Sequence, residues 1–264
     1  MTTKIKLSSD ELLFCLYSEN LFEQGISMKQ MYYPNISDEE LNLIFQVACR
    51  SLLSKDMVEY IENKYILKKE YSGFIQVLSF SSYSIKASRF SDEQDQVSWN
   101  GYFNGAECYL HSIMDNQQVH MIEYFKDHDK LVHVLTALMD VKHSSDTAED
   151  LFVCTGELFE TLLVGIQEDE QKVNDFINSA EIKNLKVHEF INDLKLRNGK
   201  MDSVMSFETN KGEDQALHNL SFIVPGVNHT WFITGSARNA FTLNSATPDL
   251  FKSIITENRS FQLA

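Results

Sequence analysis

The sequence predicts an α+β protein built from two similar halves, each a group of helices followed by an antiparallel sheet with one helix packed across it. Three observations carry that prediction. Apolar residues recur at helical spacing in some blocks and alternate in others. The order of those blocks repeats along the chain. The composition is that of a folded protein, with 43% hydrophobic residues and 18 Phe among 264 residues, but only 3 Pro and 10 Gly. The length suits one large domain or two of about 130 residues.

The first helix, from about Ser9 to Phe22, opens on a capping box, Ser8 with Glu11, and carries Leu12, Cys15 and Leu16 on adjacent turns. A second box, Ser37 with Glu40, opens a helix whose apolar stripe is Leu41, Ile44, Phe45, Ala48 and Leu52. Val58 and Tyr60, then Tyr65 and Leu67, alternate on either side of Glu62-Asn63 and predict a hairpin. Helix, short helix, helix and hairpin make residues 8–68 a winged-helix-like segment. Beyond it, Phe74 to Phe80 is strand-like and Ser91 to Gln96 is a polar loop. Cys108 to Met114 and Val119 to Phe125 are strands joined by a turn at Asp115 to Gln118, and Asp127 to Met139 is an amphipathic helix.

The polar segment His143 to Glu149 marks a boundary, which divides the chain into an N-terminal half, 1–142, and a C-terminal half, 143–264. In the second half, Leu151, Leu158, Leu162 and Ile166 fit one helical stretch. Val173, Phe176 and Ile177 fit another, and Val187, Phe190, Ile191 and Leu194 a third. Strands follow at Val204 to Phe207, Leu217 to Val224, Thr230 to Thr234 and Ala240 to Asn244, the last two joined by a turn at Gly235 to Asn239. Thr247 caps a final helix with Pro248 in its first turn. Cys108 to Leu138 matches Thr230 to Glu257 as hairpin, cap and helix, which implies a pseudo-twofold repeat.

Charge narrows the function. A formal net charge of −15 repels phosphate backbones and anionic surfaces, so neither nucleic acid nor membrane is an expected partner. The third helix of the winged-helix-like segment opens on Asp38, Glu39 and Glu40, where such motifs meet base edges, and this argues against DNA reading; Lys64, Lys68 and Lys69 on the hairpin are the contrary signal. No run approaches the roughly 18 apolar residues of a membrane span, and Met1 to Asp10 has no signal-peptide core, so a cytoplasmic protein is expected. Cys15, Cys49, Cys108 and Cys154 are scattered and read as buried free thiols.

The layout resembles the EspG-like chaperones of type VII (ESX) secretion systems. At residue level the likeness rests on Thr230-Trp231-Phe232-Ile233-Thr234, the following turn, Phe241-Thr242-Leu243 and the Pro248 helix, and more loosely on Ser9 through Leu67. The resemblance implies a cytosolic chaperone or adaptor that holds a secreted helical client, and it carries over no binding residue. Unlike the better-known members, this chain is rich in Lys and Phe and poor in Ala and Pro. The alternative reading is a winged-helix transcriptional regulator with a ligand-sensing or partner-binding domain. Trp231 and Phe241, on the second half's hairpin, are the candidate partner-binding anchors, with a place in the core as the equal alternative for each.

Enzyme chemistry finds no constellation. Asp127, His128, Asp129 and His133 cluster at a helix start, where Asp is an ordinary cap. Ser236 follows Gly235 in a hairpin instead of a strand-to-helix elbow, and Glu168-Asp169-Glu170 reads as a solvated loop. No Walker A or GxGxxG sequence occurs, so no catalytic residue, metal or cofactor is expected.

Overall fold

Both capping boxes form in the structure, a computed structural model describing residues 3–91, 96–114, 116–143, 150–168, 170–179, 184–208, 216–236 and 240–256. The elements of its first stretch are β1 (Lys4–Ser8), α1 (Ser9–Ser18), α2 (Phe22–Tyr32), α3 (Asp38–Ser54), β2 (Val58–Ile61), β3 (Lys64–Leu67) and α4 (Lys69–Phe80). Then come β4 (Tyr83–Phe90), β5 (Gln96–Asn104), β6 (Glu107–Met114), β7 (Val119–Phe125) and α5 (His128–Leu138). The remainder is β8 (Asp150–Thr155), α6 (Gly156–Glu168), α7 (Glu170–Ser179), α8 (Leu185–Leu196), β9 (Asp202–Glu208), β10 (Ala216–Pro225), β11 (Thr230–Ser236), β12 (Ala240–Ser245) and α9 (Pro248–Ile255). The fold is α+β, with helices packed on antiparallel sheet and a smaller two-stranded ribbon, β2-β3.

The chain divides into two compact units, Met1–Tyr83 with Trp99–Asp127, and Ser84–Ser98 with His128–Ala264. In the first, the strands run β1-β7-β6-β5, with Lys4 opposite Glu123 and Ser8 opposite Val119. Ile5 and Leu7 of β1 enter the core beside Leu12 and Leu16 of α1, Leu52 of α3, Phe74 and Ile75 of α4, and Ile122 of β7. Glu11 is buried here. Burial pushes its pKa up, but hydrogen bonds from Lys55, Ser51 and the Ser8 N–H outweigh that and hold it below the usual value. The Lys55 Nζ lies 2.7 Å from its Oε2.

In the second unit the order is β4-β9-β10-β11-β12-β8. Alternation along β11 sends Trp231 toward Phe190 of α8 and Phe232 toward Phe251 of α9, and both faces of the strand are therefore buried. Val173, Phe176, Val187, Phe190 and Leu194 of α7 and α8 complete the core on the Trp231 side.

Two expectations are corrected. Phe74 to Phe80 is helix, because Phe74, Ile75 and Leu78 meet one core at helical spacing. Leu151 lies in β8, with the helix starting at Gly156. Strands β1, β4, β5 and β8 were not anticipated. The residues of the expected linker from 144 to 149, most of the Ser91 to Gln96 loop and the turn at 237–239 lie outside the described residues. All four cysteines are free and buried.

Candidate partner-binding surface

Tyr17 organises the opening helices. Its ring sits 5.8 Å from Phe22 and 5.1 Å from Phe45, and Phe14 reaches Phe45 at 6.1 Å. A Cβ at Gly25 would come within 2.7 Å of the Tyr17 ring, so glycine is what lets α2 approach α1 this closely. On α3, Leu43 and Val47 stand two positions from Phe45, on the opposite side of the helix, and both are exposed. Phe22 and Ile26, one turn apart on α2, are also exposed.

The ribbon adds an aromatic pair. Glu62 and Asn63 both take positive φ, 48° and 64°, the backbone of a two-residue hairpin turn that matches strand twist. Tyr60 then faces Tyr65 across the ladder at 4.8 Å, with Ile61 beside them and all three exposed. Lys68 is paired with Asp56 at 2.5 Å, which raises its pKa. At the head of α3, Glu40 is held below the ordinary carboxylate pKa by the Ser37 backbone and hydroxyl.

Among the described residues, ten of the seventeen large apolar side chains that are exposed fall between residues 22 and 80: Phe22, Ile26, Met31, Leu43, Val47, Leu53, Tyr60, Ile61, Tyr65 and Phe80. Isolated exposed apolar residues are ordinary, but more than half of them in about a quarter of the described residues is a concentration. The sequence held the signal for part of it, since Leu43 and Val47 fall outside the buried stripe of α3.

The two candidate anchors named from the sequence lie on β11 and β12. Trp231 is fully buried and its Nε1–H donates to Asp193 Oδ2 at 2.7 Å, which is the core alternative for this residue. Asp193 Oδ1 accepts from the Val227 N–H at 3.2 Å, which ties the β10-β11 turn to α8. Phe241 is half-buried, 5.3 Å from Phe159 and 6.3 Å from Phe222. The apolar void lined in part by Phe152, Phe159, Phe176 and Phe241 measures about 10 Å³, less than a ligand needs.

One buried polar chain lies in the first unit. His111 Nε2 is 2.9 Å from His120 Nδ1, and His120 Nε2 is 3.3 Å from Ser9 Oγ, which lies 3.3 Å from the Gln117 carbonyl. A donor sequence from His111 through His120 and Ser9 to that carbonyl satisfies each link and leaves His111 Nδ1 as a bare acceptor. Burial lowers both imidazoles to about 4, and the charge on His120 adds to the effect at His111. Around the expected Asp127-His133 cluster, Asp129 Oδ1 pairs with Lys252 Nζ at 2.6 Å, and no group of three or more metal-ligand side chains forms among the described residues. Glu168 ends α6 and pairs with Lys172, while residue 169 lies outside the described residues. Ser236 closes β11.

Over 98% of this chain and 100% of the other, the protein superposes with a TM-score of 0.64 and 10% identity on a chain from the structure of the Mycobacterium tuberculosis type VII secretion system chaperone EspG5 in complex with a PE25-PPE41 dimer, and shares that EspG-type fold. The chain belongs to the family described as uncharacterised protein YfjC, whose model matches residues 4–255. It is 35% identical over 251 residues to YfjC of Bacillus subtilis (strain 168), spanning 95% of this chain and 98% of that relative. No helix among the described residues is long and apolar enough to cross a membrane.

Proposed function

We propose that this chain is a cytoplasmic protein-binding chaperone or adaptor that holds a helical secreted client of a type VII secretion system until export. The observation that carries the reading is the concentration of exposed apolar side chains on α2, α3, the ribbon and the end of α4. Apolar anchors of this kind dominate affinity at interfaces, and tyrosine pairs are common among them. The likeness of fold to a type VII secretion chaperone supports the same reading. Phe241, half-buried, and Trp231, buried, act in it by keeping the second unit's hairpin in place.

The proposal includes a duplication dividing the chain at residue 142, with the winged-helix-like segment as an insertion that reads no DNA. Its support is the strand order: β1-β7-β6-β5 in one stretch and β8-β12-β11-β10 in the other each set the first strand of the half beside its last.

The test is co-purification of tagged protein from its native host with mass spectrometry, comparing wild type with a Leu43→Asp, Val47→Asp, Tyr65→Ala variant of unchanged melting temperature. The expected result is a secreted helical protein that accompanies the wild type and falls about tenfold or more in the variant. Recovery of no such protein while the host's secretion system is active overturns the reading.

A further inference from the structure

The edge strand of each unit, β1 in the first and β8 in the second, is defended differently among the described residues. β1 alternates buried Ile5 and Leu7 with exposed Lys4 and Lys6, so lysines stand on the solvent face of this edge strand. Charged side chains of this kind are a common device for blocking pairing by a further strand. β8 reads Asp150-Leu151-Phe152-Val153-Cys154-Thr155, with no lysine, arginine or proline. Among the described residues its one strand neighbour is β12, in regular antiparallel register from Phe152 opposite Leu243 to Thr155 opposite Ala240. The other side of its backbone has no ladder partner among them, and Val153, 55% exposed, stands on its solvent face.

We infer that the edge of β8 takes up an extended segment of a partner protein, with an alternating apolar face and basic residues at its ends, as an added antiparallel or parallel strand. Main-chain hydrogen bonds supply the affinity of such additions, and side-chain pockets and rim charge supply the choice of segment. The void behind β8, about 10 Å³, has no room for a further side chain, so recognition falls to the backbone edge and the Val153 face. The rim selects the ends. Asp150 starts the strand, its Oδ1 accepting from Asn244 Nδ2 of β12 at 2.8 Å, and exposed Glu157 and Glu160 follow on α6; their negative charge attracts lysine or arginine. The same charge opposes a second copy of this chain. Two β8 strands paired about a twofold axis would bring both sets of carboxylates together, which like-charge repulsion opposes. This inference is independent of the surface on the first unit, and its failure leaves that reading in place.

The probe is a fluorescent eight-residue peptide of alternating threonine and valine between terminal lysines, with a control carrying terminal glutamates. Titration by anisotropy is combined with hydrogen exchange on the full-length chain. The lysine-ended peptide should bind and slow exchange at the amides of residues 151–155, and the glutamate-ended one should bind about tenfold more weakly at low salt. Val153→Lys, which copies the guard of β1, should weaken binding about tenfold. Glu157→Gln with Glu160→Gln lies off the ladder; it should narrow the preference for lysine ends whatever Val153→Lys does to folding. Binding without protection at 151–155, equal binding of the two peptides, no binding of either, or dimerisation abolished by Val153→Lys overturns the inference.

Discussion

At the scale of single residues, burial decides roles that residue type left open. Trp231 has the chemistry of an interface anchor, an apolar body with one donor, but here that donor is satisfied inside by Asp193. His111 and His120 illustrate the converse, since neither drew notice in the sequence and both are nine-tenths buried. Their pKa values of about 4 lie below the ordinary 6.5, so the unfolded chain binds protons that the folded chain refuses. The sign follows: the stability from keeping both rings neutral is complete above about 6.5 and is lost as pH falls toward 4. Urea unfolding followed by Tyr102 and its neighbours should show a falling midpoint over that window. His111→Phe, which keeps an aromatic ring between Tyr102 and His120, should flatten it; an unchanged slope would place the pH dependence in other groups.

At the scale of elements, local chemistry named the ends better than the interiors. The capping boxes at Ser8 and Ser37, the Thr247 cap and the strands β6, β7 and β9 to β12 follow the sequence reading closely, because caps and alternation are local properties. The interior of α4 did not, since FIQVLSF suits a buried strand or a buried helix, and only its contact with Leu52 and Tyr109 in one core chooses between them. The ribbon carries a testable strain. Glu62 at φ 48° occupies a position that glycine takes without a Cβ clash, so Glu62→Gly should stabilise the hairpin by about 0.5–1 kcal/mol. Thermal melting checks this, and a lower melting temperature would mean that the Glu62 side chain contributes more than its backbone costs.

At the scale of the whole molecule, net charge bears on what the chain can bind. The net charge of −15, with three carboxylates opening α3, predicts no selective binding to duplex DNA at physiological salt. Mobility-shift titration should show no complex below about micromolar concentration, and a selective, salt-sensitive complex tighter than that would favour a regulator over a chaperone. Full-length superposition on a type VII secretion chaperone at 10% identity fits a fold specified by pattern, in which apolar periodicity and turn positions persist while side chains change.

The sequence by itself determined the α+β class, the positions of most helices and strands, the negative net charge and the absence of recognisable enzyme motifs, because these follow from composition, spacing and local hydrogen bonding. Only the tertiary structure decided that Trp231 is core, that Leu43, Val47 and the Tyr60-Tyr65 pair face solvent, and that β8 pairs with β12 alone among the described residues. Exposure is a property of what packs against a residue. The packing partners here are distant in sequence, Asp193 for Trp231 and β12 for β8, and no local pattern encodes them.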